Sequence, residues 1–166
     1  GFKEIKTIEQ YLGVNTLQGT YDIVIIDVDS PVMFQNFDLL HAQKNYFVTS
    51  FDVYDLKKGL EVISYIQEKI KMTKVFFSKN MLPEEEQYFD FLARNYKIEW
   101  DEFKIYFPMT IEDLSVIAEN QRIEKIKFKR LSTAYKENLM FICEGICQDF
   151  KPVDIRKIVK NIEKGA

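Results

Sequence analysis

Three apolar runs in this chain each end in polar side chains, and those ends are where chemistry is to be sought. Asp27 and Asp29 close "YDIVIIDVDSP" (21–31), Thr49 and Ser50 close "NYFVTS", and Lys79 and Asn80 close "KVFFSKN". If the runs are parallel strands, carboxylates, hydroxyls, an amine and an amide meet along one rim. Ligands bind at that rim in open α/β sheets. The plainer reading is that polar residues end strands wherever the chain meets water. His41 is the only histidine, which excludes a catalytic histidine pair or a His-rich zinc site.

Such a rim needs alternating strands and helices to build it, and the pattern supplies them. A short helix is expected over Lys3–Leu12. Ile23–Ile26 is apolar on both faces, as a central parallel strand between helix layers should be. Asn45–Val48, Lys74–Phe77 and Phe103–Phe107 are the next strands, the last stopped by Pro108. Leu56, Leu60, Ile63, Ile66 and Ile70 recur at helical steps and predict a helix over Asp55–Ile70. Pro83 with Glu84, Glu85 and Glu86 starts another, with Tyr88, Phe91 and Leu92 inward. Thr110 caps a helix with Ile111, Leu114 and Ile117 on its apolar side. Ser132–Cys147 carries Tyr135, Leu139, Ile142, Cys143 and Ile146 on one stripe, and a basic helix occupies 152–164. Strands alternating with helices predict an α/β fold, a mainly parallel sheet with helices on both faces.

Length and composition set the bounds. The chain has 166 residues, 46% of them hydrophobic and 14% aromatic, enough for one well-filled core, so a single domain over 1–166 is expected. Its net charge of −3 supplies no global attraction to nucleic acid, and no sequence-specific nucleic-acid binding is expected. Cys143 and Cys147 lie one helical turn apart, which suits half-buried thiols better than a disulfide. No apolar run approaches the roughly 18 residues of a membrane span, and no signal segment opens the sequence. A cytoplasmic location follows as the expectation.

The order "YDIVIIDVDSP", "NYFVTSFDVYDLKKGLEVISYIQE", "KVFFSKNM", "IYFPMTIEDLSVIAENQRI", "LSTAYKENLMFICEGI" resembles the later two-thirds of the MinD/ParA family of P-loop ATPases, of the SIMIBI class, over about residues 21–148. The resemblance implies a P-loop NTPase-like, Rossmann-like three-layer fold. It also implies that Asp27 matches the acid after the second Walker strand, which holds a water on the nucleotide's Mg²⁺. Asn80 matches an asparagine that meets the adenine edge, and Pro108 lies where backbone lines the base pocket. Read without the resemblance, Asp27 caps a neighbouring loop, Asn80 makes a turn and Pro108 ends a strand.

The family's glycine-rich, lysine-bearing phosphate loop has no counterpart here. "GVNTLQGTY" (13–21) has the wrong glycine spacing and no lysine, so the fold is expected to be incomplete or degenerate. This chain alone is then expected to have no catalytic residues, no cofactor and no ATPase activity. ATP and Mg²⁺ enter only if the intact protein carries the loop upstream. Without the family's first strand, the sheet is expected to keep an open side. Asp27 is expected at the sheet rim, satisfied by the 28–30 turn or by Thr49 and Ser50, with Asp29 more exposed.

"RIEKIKFKR" offers Arg122, Lys125, Lys127, Lys129 and Arg130 with Ile123, Ile126 and Phe128 between them. The pattern suits an acidic protein partner, a membrane surface or a phosphate backbone, against the plainer reading of a solvated connection. The expected function is protein–protein contact or self-association, peripheral membrane contact included, in a bacterial positioning, partition, secretion or conjugation apparatus. One alternative is the later part of an active ATP-driven dimer switch. Another is a receiver-like phosphoacceptor domain, since Asp27, Thr49 and Lys79 come in that domain's order, although no acidic pair precedes Asp27.

Overall fold

The structure, a computed structural model, describes residues 23–31, 42–78, 83–124 and 127–163. Its order is β1 (Tyr46–Ser50), α1 (Val53–Ile63), β2 (Ile70–Ser78), α2 (Pro83–Ala93), β3 (Ile98–Pro108), α3 (Ile111–Ile123), a 3₁₀ turn (Phe128–Arg130), α4 (Thr133–Ile146) and α5 (Pro152–Glu163). The three strands form one parallel sheet in the order β1-β2-β3. This is an α/β architecture with helices on both faces, Rossmann-like in its layering.

Two successive βαβ units step in the same direction across the sheet. Right-handed crossovers therefore put α1 and α2 on one face. There Leu56, Leu60 and Ile63 of α1 and Phe89 and Ala93 of α2 close over Phe47, Met72 and Phe76. The opposite face is smaller: Tyr135, Leu139 and Ile142 of α4 cover Val75, Ile105 and Phe107. Stacking of Phe77 on Phe107, with centroids 4.8 Å apart, extends that second core along the paired strands. The α4 stripe expected from the sequence is thus the one that packs.

Other expectations change. The helix expected over Asp55–Ile70 stops at Ile63, where the Ser64 hydroxyl donates to the Glu61 carbonyl at 2.6 Å. Ile66 and Ile70 kept the helical period but enter the same core from a turn and from the first residue of β2. In α2 the inward residues are Phe89, Leu92 and Ala93, while Tyr88 and Phe91 face outward. In α3, Ile111 is 80% exposed and the buried positions are Asp113 and Val116.

The largest correction concerns residues 23–29. They adopt no regular secondary structure, and Ile23, Val24 and Ile25 are exposed, Ile25 by 75%. Apolar composition gives a segment strand character, but a strand exists only where a neighbour accepts its ladder. Among the described residues no strand pairs with this one. The short helix expected over Lys3–Leu12 lies outside the described residues.

Candidate functional site

Parallel pairing brings Ser50, Ser78 and Pro108 to one rim, through the register pairs Ser50 with Phe77 and Ser78 with Pro108. The Met109 amide donates to the Ser78 carbonyl at 3.0 Å and fixes the chain as it leaves β3. Pro108 is therefore where the sequence places it, half-buried at the end of its strand. Lys79 and Asn80 lie outside the described residues. Asp27 is not at this rim in any strand; it and Asp29 are both exposed in the irregular segment. Its expected hydroxyl partners are engaged elsewhere. Thr49 Oγ1 donates to the Ser50 carbonyl at 3.1 Å, and Ser50 Oγ donates to Asp55 at 2.8 Å.

The starts of α1, α3 and α4 near the rim are also taken. Asp52 caps α1 by accepting the Tyr54 and Asp55 amides at 2.9 and 3.3 Å. Thr110 caps α3 by accepting the Asp113 amide at 3.0 Å, and Ser132 caps α4 by accepting the Tyr135 amide at 3.2 Å. A helix N-terminus attracts an anion through its unpaired amides and dipole. Here side chains already fill that role, and at α1 the filler is itself a carboxylate beside Asp55. Phosphate would meet negative charge there. Among the described residues no group of three or more His, Cys, Asp or Glu side chains is placed to hold a metal ion.

The densest ionic cluster is at the other end of the sheet, and it was not anticipated. Asp101 accepts from Lys44 Nζ at 2.8 Å, from Lys71 Nζ at 3.0 Å and from the Thr73 hydroxyl. A bulge makes this possible: Met72 pairs with Trp100 and Lys74 with Lys104, so three residues of β3 stand opposite Thr73 alone. Burial alone would push the Asp101 carboxyl up, but the bonds from Lys44, Thr73 and Lys71 overcome it and hold the group down at about 2. Lys69 pairs with Glu99 at 2.9 Å nearby. Lys44, Asn45, Lys69, Lys71, Asp101 and Gln148 line a cleft of about 330 Å³. Apart from Lys44 and Lys69, the alternating "IKMTK" and "IEWDE" carried the charges of this cluster, but only the strand register brings them together.

A second polar network lies between α2 and the sheet. Lys74 is 5% exposed; its ammonium meets Asp90 at 2.6 Å and lies 5.1 Å and 5.4 Å from the ring centres of Phe89 and Trp100. Lys104, its partner across the strands, pairs with Glu86, which also accepts from the Tyr106 hydroxyl at 2.7 Å. Burial, and then the neighbouring Lys74 cation, push the Lys104 ammonium down. Burial and Asp90 push the Tyr106 phenol up.

The basic stretch folds back on its own helix. Glu119 takes Lys127 at 2.5 Å and also Arg130, and Asn120 Oδ1 accepts the Lys127 amide at 2.8 Å. Glu124, in the left-handed region at φ 52°, turns the chain for this return. Arg122 and Lys129 are exposed, and Lys125 lies outside the described residues. One carboxylate thus answers two of the cations. Cys143 and Cys147 are free, half-buried thiols, as the sequence suggests. Among the described residues no helix is long and apolar enough to cross a membrane. Comparison of the chain with protein-family models, with curated proteins and with solved structures gives no match.

Proposed function

We propose that the chain is a non-catalytic or partial MinD/ParA-like ATPase domain, P-loop NTPase-like in fold, that acts through protein–protein contacts in a bacterial positioning, partition, secretion or conjugation apparatus. The observation that carries the non-catalytic reading is the occupied rim: Asp52, Thr110 and Ser132 cap the starts of α1, α3 and α4, and Thr49 and Ser50 are spent on local bonds. Phosphoryl transfer depends almost wholly on positioning and on charge stabilisation of the phosphates. A rim closed by its own carboxylates supplies neither.

The contact reading draws on the surface. Tyr54, Ile25 and Ile111 are each at least 75% exposed, and Phe91, Phe103 and Phe150 are more than half exposed. Large exposed apolar side chains in such numbers favour association. Arg122, Lys129 and the basic face of α5 offer an acidic partner or an anionic membrane surface its complement, and ATP and Mg²⁺ belong to the rim only where the intact protein adds a phosphate loop.

The test is phosphate release from ATP with Mg²⁺, run beside light scattering on the same sample. No release above buffer together with self-association supports the reading. Mg²⁺-dependent release abolished by Asp27→Asn overturns the non-catalytic part, and a strictly monomeric species that captures no partner overturns the contact part.

A further inference from the structure

Among the described residues β1 uses only one of its two edges. Asn45 gives its carbonyl to the Thr73 amide at 3.0 Å. Backbone groups alternate sides along a strand, so Phe47 and Thr49 also turn toward β2, while Tyr46, Val48 and Ser50 turn their amides and carbonyls the other way. Among the described residues nothing pairs with that outer edge. Val48 is 58% exposed there although Phe47 and Thr49 beside it are buried. A free edge with apolar flanks is a template for one more strand.

The same chain carries a segment with the matching chemistry. Ile23–Val28 is six residues long against five in β1, and it is β-branched and apolar on both alternating faces until Asp27. It is irregular here, with Ile23, Val24, Ile25 and Asp27 exposed and Ile26 and Val28 half-buried. Seventeen residues separate Val28 from Tyr46, enough for the crossover of a dozen or more that a parallel neighbour requires. Its two apolar faces suit an edge that has the Phe47 core on one side and Val48 on the other.

We infer that Ile23–Val28 is a strand poised to close onto the outer edge of β1 within the same chain, making a four-stranded parallel sheet. Closure removes Ile23, Val24, Ile25 and Val48 from water and satisfies the outward backbone groups of Tyr46 and Val48. Parallel alignment carries Asp27 to the rim beside Ser50, so the opening and closing of this segment decides whether a carboxylate stands there. The inference rests on strand chemistry and holds whether or not the chain binds nucleotide.

Hydrogen exchange of the full chain, resolved by residue, tests it. The alternate amides of 24–28 that face β1, and that of Val48, are expected to exchange at least about tenfold more slowly than in an unstructured peptide. In Val24→Pro and Ile25→Pro, one of which removes an amide facing β1 in either register, the protection of Val48 is expected to vanish. The amides of Phe76 and Phe107 should keep theirs, which shows that the core still folds. Free exchange at 24–28 overturns the closure. So does protection of Val48 that survives both proline variants, because another segment then covers the edge. Protection that grows with protein concentration overturns the intramolecular form, since a second copy is then the donor.

Discussion

The carboxylate of Asp113, 1% exposed, accepts the backbone amide of Ser132 at 2.7 Å and the hydroxyl of Thr110 at 2.9 Å, and so ties the start of α3 to the start of α4. An acid this deep persists because each oxygen has a donor. Asp113→Ala removes the acceptor and leaves a buried amide unsatisfied, with an expected loss of about 2–4 kcal/mol. Asp113→Asn keeps one carbonyl oxygen and should lose less. Urea unfolding with an unchanged slope and a lowered midpoint is the expected reading.

Asp101 makes stability depend on pH at the acid end. Its carboxyl is held at about 2 against 3.8 in the free side chain, so the folded state binds this proton more weakly than the unfolded state does. The contribution is therefore complete above about pH 4 and is lost as pH falls toward 2, on the order of 1–2 kcal/mol. Asp101→Asn should flatten that part of the profile, and Lys44→Met should move it to higher pH. Thermal melts between pH 2 and 5 check both, and an unchanged profile in Asp101→Asn would assign the acid sensitivity to other carboxylates.

Gly59 of α1 lies against the ring of Phe47. A Cβ at that position would fall 2.8 Å from Phe47 Cζ and 3.2 Å from Cε2. The ring has nowhere to retreat, since Phe89 and Trp100 each pack on it with centroids 5.7 Å away. Alanine gains about 1 kcal/mol of helix propensity over glycine, but overpacking of this kind costs about 1–3 kcal/mol. Gly59→Ala is expected to be neutral to destabilising and to shift the emission of Trp100, the only tryptophan. A variant more stable than the parent with unchanged fluorescence would show that the α1–sheet contact is looser than this geometry.

Helical periodicity found the α4 stripe because Tyr135, Leu139 and Ile142 face one continuous surface. It overran α1 because Ile66 and Ile70 continue the period into a turn and a strand that share its core. Capping chemistry revealed Thr110 in its local sequence, whereas the burial of Asp113 depends on Ser132 nineteen residues away. Ile23–Ile26 looked like a central strand because composition reports what a strand could bury, while pairing is decided by whichever segment lies alongside. The Asp101 cluster was illegible for a related reason: it is assembled by register and a bulge, and neither is written in the local pattern of Lys44, Lys71 or Thr73.

The last expectation concerns Lys74, whose ammonium is enclosed by Phe89, Trp100 and Asp90 in the middle of the central strand. Desolvating a cation is costly, and the aromatic faces return only about 0.5–2 kcal/mol of it. Asp90, half exposed, is the counter-charge that makes the arrangement tolerable. Removing it alone by Asp90→Ala leaves a buried cation unpaired, with an expected loss of about 1–3 kcal/mol, below the range for a fully buried pair because water reaches this carboxylate. Lys74→Met fills the same space without a charge and also relieves the repulsion of Lys104, so it should be within about 1 kcal/mol of the parent or more stable. In the double variant the loss caused by Asp90→Ala should largely disappear. Urea unfolding of the four proteins as a double-mutant cycle reads the coupling directly. Additive losses at the two positions would mean that the 2.6 Å pair is incidental to how α2 is held on the sheet.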